Sequence, residues 1–243
     1  RFIQEEWIGK RIDSPNVVKV ITQTRTRTFL YYLMEYVSGI SLDKWMSQHP
    51  LPSPKKAIGI VKQIANALSA FHVTETIHQD LKPGNIIIDE NMNIKVIDFG
   101  SVFVAGIAEI FVPIEHIGAL GTACYSDPHF LHGKNTGVQG DIYSLATITY
   151  ELFTGHLPFG EKIEQSVNSH DFDKLRYIQA SVYNPIIPVW FDRALEKGVN
   201  LELSIRYTRL QEFVEDISHP NPQFLHDDPV IEKSRGLLFW QLM

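Results

Sequence analysis

The stretch His78-Gln79-Asp80-Leu81-Lys82-Pro83-Gly84-Asn85 decides how this chain is read, together with Asp98-Phe99-Gly100, which opens thirteen residues after Asn85. Between them lie two short apolar runs, Ile86 to Ile88 and Ile94 to Ile97, separated by Asp89-Glu90-Asn91-Met92-Asn93. Two such runs joined by a polar turn predict a β-hairpin. Upstream, Ser53-Pro54 joins a cap residue to a proline at the first helical position, and Ile58, Val61, Ile64, Ala65, Leu68 and Phe71 follow at helical spacing. Further back, Thr28 to Val37 is aromatic and β-branched, which predicts a buried strand broken at Ser38-Gly39. Arg1 to Ile12 predicts a helix ended by Asp13-Ser14-Pro15. Downstream, residues 101 to 140 carry many Gly and Pro and little periodicity, predicting a long irregular segment. Asp141 to Thr154 is apolar almost all round and ends at Gly155, which predicts a buried central helix. Helical patterns return at 189 to 197, stopped by Gly198, and at 208 to 218, stopped by His219-Pro220. A few strands followed by a helical majority make an α+β chain.

The composition narrows the function classes. With 243 residues the chain can bury a sizeable core unaided, and its 44% hydrophobic and 21% charged content excludes disorder as the main state. Twenty-two basic against 28 acidic residues give a net charge of -6, which argues against nucleic acid as a partner. A single cysteine, Cys124, excludes an internal disulfide framework and fits a reducing compartment. No stretch reaches the roughly 18 apolar residues of a membrane span, and the start lacks the pattern of a secretory signal.

The pattern H-x-D-L-x-x-x-x-N followed across a hairpin by D-F-G resembles the protein-kinase superfamily. The resemblance implies a protein-kinase-like α+β fold with an incomplete small β-rich lobe and a complete, mainly helical large lobe. It also implies ATP and Mg²⁺ as cofactors and a protein hydroxyl as substrate. Phosphoryl transfer is mostly a problem of charge and position, so it calls for these residue types. A carboxylate such as Asp80 can accept the hydroxyl proton, and Lys82 can set an ammonium beside the transferred group. Asn85 and Asp98 supply the hard oxygen atoms that Mg²⁺ prefers. By resemblance, then, Asp80 is the catalytic base, Lys82 the phosphate-stabilising lysine, and Asn85 and Asp98 the metal ligands. Met34 stands as gatekeeper, Glu35 to Val37 offer backbone groups to adenine, and Ile87 floors the adenine site. Glu5 matches the glutamate that pairs with an ATP-binding lysine. Gly121-Thr122-Ala123-Cys124-Tyr125-Ser126-Asp127-Pro128 resembles the substrate-side end of the activation segment, where Thr122 would bond the catalytic residues. Asp141 matches the aspartate that anchors the catalytic loop.

The departures from the family pattern carry expectations of their own. Gln79 replaces the arginine of H-R-D, so no cation is expected beside Asp80 to receive a phosphorylated activation loop. His129 stands where A-P-E has its glutamate, which is expected to leave Arg206 without its usual anion and to loosen the substrate-binding segment. The resemblance opens at the helix bearing Glu5, so the Gly-rich loop and ATP-binding lysine are expected before Arg1, and the chain alone is expected to bind ATP poorly. On this reading residues 1–37 form a partial small lobe, 38–218 the large lobe, and 219–243 a tail. The phrases His78 to Leu81, Asp98 to Ser101, Val104 to Glu109 and Phe239-Trp240-Gln241 resemble bacterial serine/threonine kinases fused to a phosphatase. That likeness implies an associated phosphatase module, a membrane helix after residue 243, and a cytoplasmic kinase tethered to the inner membrane. Two rival readings are a pseudokinase scaffold that binds partners without transfer, and a small-molecule phosphotransferase. Gly121 to Pro128 and Asp141 favour a peptide substrate over the second.

Overall fold

The computed structural model of the chain describes residues 2–23, 28–98, 102–104, 124–131, 133–160 and 174–225. Helix α1 (Phe2–Gly9) opens the chain and buries Ile8. It stops short of the expected Ile12, because the N–H groups of Lys10 and Arg11 close the last turn on Glu6 and Ile8 before Asp13 is reached. Strands β1 (Val20–Ile21) and β2 (Leu33–Met34) pair antiparallel, with Val20 opposite Met34.

The expected buried strand over Thr28 to Val37 is corrected here. Only Leu33 and Met34 join a ladder, and Phe29, Leu30, Leu33, Met34 and Tyr36 are exposed, Tyr36 at 92%. Aromatic and β-branched residues favour extended backbone, but burial needs a covering layer, and this sheet has two strands among the described residues.

A second sheet runs β3 (Ile40–Ser41), β5 (Ile86–Ile88), β6 (Ile94–Val96), all antiparallel. The β5–β6 pair is the predicted hairpin, with Ile86 opposite Val96 and Ile88 opposite Ile94. Its turn is closed by Asp89, whose carboxylate accepts the N–H groups of Asn91 and Asn93 at 2.8 Å each. Gly39 leads into β3 with φ 144°, and a Cβ there would lie 2.3 Å from the Ile88 carbonyl oxygen. Only glycine lets the chain pass that close to the hairpin. Strand β4 (Thr76–Ile77) pairs with β7 (Phe103–Val104).

The helical body is built on α3 (Pro54–Val73) and α5 (Val138–Thr154), which pack together, with α2 (Leu42–Gln48) beside the hairpin. Helix α3 begins at the predicted proline, although the Ser53 side chain makes no cap hydrogen bond. Helix α5 is buried along nearly its whole length. Its hydroxyls at Ser144, Thr147, Thr149 and Thr154 each donate to the carbonyl four residues back, which is how polar side chains are tolerated there. It ends as expected at Gly155, left-handed at φ 72°.

The described residues between 101 and 140 include some regular structure. They contain β7, the short α4 (Pro128–Leu131) and the first turn of α5, which starts at Val138 rather than Asp141. Beyond them come α6 (Ala180–Tyr183), α7 (Val189–Gly198) and α8 (Leu210–Ser218), the last ending before His219-Pro220 as predicted.

Helix α7 ends at Gly198 as expected, with the glycine as its last residue, and a Cβ there would meet the Ala146 Cβ at 2.6 Å and Phe213 at 3.1 Å. Its lack of a side chain lets α7, α5 and α8 approach one another. Gly198→Ala should therefore destabilise by about 1–3 kcal/mol through overpacking. A lower urea midpoint at unchanged slope is the expected reading.

Candidate active site

The catalytic loop is held by one buried carboxylate. Asp141, in the first turn of α5 and fully buried, accepts the backbone N–H of His78 at 3.0 Å and of Gln79 at 2.9 Å. It also receives His72 Nε2 at 2.8 Å from the end of α3. These bonds fix the loop at Gln79, whose φ of 65° lies in the left-handed region that non-glycine residues avoid. The next residue, Asp80, is thereby presented toward Lys82, whose Nζ donates to Asp80 Oδ2 at 3.1 Å. Gln79 brings no cation to this place, and the ammonium beside Asp80 is that of Lys82. Asn85 Nδ2 donates to the Asp80 carbonyl at 3.1 Å, which locks the loop's far end and leaves the Asn85 amide oxygen as an acceptor. The 3₁₀ turn Pro83–Asn85 runs straight into β5, and the Ile97 N–H bonds the Asn85 carbonyl at 3.0 Å. Asn85 and Asp98 consequently share the open end of the hairpin.

His78 lies at the centre of this group. Its imidazole is buried, and burial pushes its pKa down against the opposing charges of Asp141, Asp80 and Asp98. Three carboxylates acting on one ring put Asp80 and Asp98 in the same electrostatic neighbourhood.

The chain just after β2 is tied to the hairpin by charge. The Glu35 carboxylate accepts the Lys19 N–H at 2.9 Å and Lys95 Nζ at 2.6 Å, the latter from β6. Burial opposes ionisation of Glu35, yet the hydrogen bonds and charges of Lys95 and Lys19 hold its carboxyl below the usual range. The Glu35 backbone N–H goes to the Lys19 carbonyl at 2.9 Å. Met34 lies in β2 half-exposed, Val37 packs at the edge of the core, and Ile87 pairs with Ser41 in the sheet. On α1, Glu5 accepts the Tyr32 hydroxyl at 3.0 Å. Burial, that bond, and the charges of Glu5 and Asp98 push the phenol up to about 12. Tyr32 had no role in the sequence reading, since a single tyrosine in an aromatic run carries no positional signal. Thr122, with Phe99 and Gly100, lies outside the described residues, as does 239–241.

The largest correction concerns Arg206. It has an anion. Its guanidinium is buried and donates to Asp127 Oδ2 at 2.7 Å, to Asp127 Oδ1 at 3.4 Å and to the Asn200 and Gln139 carbonyls at 2.8 and 3.1 Å. Asp127 stands two residues before His129, and α4 turns it back so that its carboxylate reaches the guanidinium. Asp127 also accepts the Thr136 hydroxyl at 2.5 Å and the His129 N–H at 3.0 Å. Nearby, Tyr125 donates to Glu151 Oε2 at 2.6 Å, which ties the same segment to α5. The described part of that segment, from Cys124 to Pro128, is therefore held at Tyr125 and Asp127, where a loose one was expected.

A family model described as the protein kinase domain matches residues 1–223. The chain belongs to the protein kinase family. It is similar to the serine/threonine-protein kinase PrkC of Bacillus subtilis, 30% identical over 223 residues, which cover 89% of this chain and 33% of that protein. It is similar also to the probable serine/threonine-protein kinase PknB of Lactococcus lactis, 27% identical over 223 residues, 90% of this chain and 34% of that one. A third relative, the serine/threonine-protein kinase PknB of Mycobacterium leprae, is 34% identical over 164 residues, covering 65% of this chain and 26% of its own. The chain spans about a third of the length of the first two curated relatives.

Within this kinase domain the Asp127–Arg206 pair sets a measurable stability. Removing one partner of a buried pair costs about 3–5 kcal/mol, because the other charge is left uncompensated. Asp127→Asn should lower the unfolding free energy by that order in urea titration. Burial raises the Asp127 pKa, but Arg206, by charge and hydrogen bond, outweighs it and holds the carboxyl low. A depressed folded-state pKa stabilises the fold above the unfolded value near 4, and that contribution is lost as pH falls through the folded value. The acid limb of the stability curve should therefore flatten in Asp127→Asn.

Proposed function

We propose that this chain is the catalytic part of a serine/threonine protein kinase that moves the γ-phosphate of ATP to a protein hydroxyl. The observation that carries this is the clamped loop, where Asp141 fixes the backbone at His78 and Gln79 and Lys82 meets Asp80 at 3.1 Å. In this reading Asp80 orients the substrate hydroxyl and takes its proton, and Lys82 balances the charge that develops on the transferred group. Asn85 and Asp98 would hold magnesium. Their donor types fit it, because the Asn85 amide nitrogen is turned to the Asp80 carbonyl and leaves its hard oxygen to coordinate, and Asp98 supplies a carboxylate. When bound there, the ion neutralises charge on the phosphate oxygens. Met34, the Glu35 and Val37 backbone and Ile87 would receive adenine, Glu5 would orient the nucleotide-binding lysine, and Thr122 would brace the catalytic pair. Lys82 and the named relatives favour serine and threonine over tyrosine.

His129 in place of the glutamate was one of two features that favoured the scaffold reading, and the Asp127–Arg206 pair weakens that one. An associated phosphatase and a membrane anchor remain extensions of the family resemblance. Among the described residues no helix is long and apolar enough to cross a membrane.

The test is phosphate transfer from labelled ATP to myelin basic protein by the complete protein and its Asp80→Asn variant. Loss of the proton acceptor should lower the rate by about 10²–10⁴-fold. Equal rates in the two proteins would overturn the assignment.

A further inference from the structure

Beneath the catalytic loop lies a small cavity walled by Ile77, Gln79, Asp127, Phe130, Thr136 and Gly140 among others, with about 10 Å³ for a water's centre. That is close to the least space one water molecule needs. It sits between the two anchors already described, the Asp141 clamp on the loop and the Asp127–Arg206 pair on the substrate segment. One of its walls carries an unmet donor: Gln79 Nε2 is shut off from solvent and has no hydrogen-bond acceptor. Leaving a buried amide donor unmet is unfavourable enough that such groups in folded proteins normally find a partner or a water. On the opposite wall the Thr136 hydroxyl spends its one proton on Asp127, at 2.5 Å, and so keeps lone pairs to accept with. Gly140 makes room for that hydroxyl, since a Cβ there would fall 2.8 Å from Thr136 Oγ1.

The geometry points to a bound water in this cavity that accepts from Gln79 Nε2 and donates to Thr136 Oγ1, which makes Gln79 a positioning residue. The water completes a continuous line: Gln79, water, Thr136, Asp127, Arg206. Gln79 is held to α5 through its backbone N–H and to the substrate segment through its side chain. The donor and acceptor types decide the ligand. An amide N–H asks for a lone pair and a hydroxyl already donating asks for a proton, and water supplies both in the space of one molecule. A cation has no place beside the amide donor, and an anion would meet the Asp127 carboxylate.

Two measurements test this without any need for phosphate transfer. A high-resolution crystal structure of the chain should show a density peak within hydrogen-bond distance of both Gln79 Nε2 and Thr136 Oγ1. An empty cavity there overturns the proposal. A thermal-unfolding cycle with Gln79→Met and Thr136→Val, both close to isosteric, supplies the second test. Gln79→Met should lower the midpoint by about 2–4 °C, the shift expected in a chain this size for one lost buried bond, and Thr136→Val, which also gives up its bond to Asp127, should lower it further. The double variant should fall no further than the worse single. Additive losses would mean two independent structural roles and would refute the link.

Discussion

One buried carboxylate orders the rest of the site. Asp141 carries a charge into the middle of the fold, where an unpaired one would be costly, and three donors from two different elements meet it. The arrangement works in both directions. The donors keep the charge tolerable, and the charge keeps them in place, including a backbone at Gln79 that would otherwise relax out of its left-handed conformation. Because Asp141 sits on a helix buried along nearly its whole length, the loop inherits the rigidity of α5. Asp80, Lys82 and Asn85 follow from that, each reaching its partner across only a few residues of chain.

The sequence made much of this legible, and the reasons are local. A hairpin such as β5–β6 is specified by residues adjacent in the chain: two isoleucine-rich runs and an Asp89 whose side chain closes the turn. The catalytic loop is legible for the same reason, since Asp80, Lys82 and Asn85 lie within six residues and their spacing is their geometry. Helices α3 and α5 announced themselves by apolar periodicity and by Pro54 and Gly155 at their ends.

What stayed hidden depends on space rather than order. Position alone put His129 in the glutamate's place and left Arg206 without an anion, but a guanidinium responds to distance, and the Asp127 carboxylate reaches it instead. Gly198 ends α7 as the sequence suggests, but its close contact with Ala146 and Phe213, distant in sequence, is visible only in the fold. Tyr32 beside Glu5, and the exposure of Phe29 and Tyr36, likewise depend on what lies across from a residue and not beside it in the chain.

The Lys95–Glu35 contact acts as a ruler. Lys95 stands three positions before Asp98 on the same extended run, so the ion pair sets how far the strand ahead of Gly39 lies from the end of the hairpin. Both partners are about a third exposed, which leaves the ruler within reach of dissolved salt. Dissolved salt therefore weakens this pair, while the bonds made by the fully buried Asp141 are screened far less.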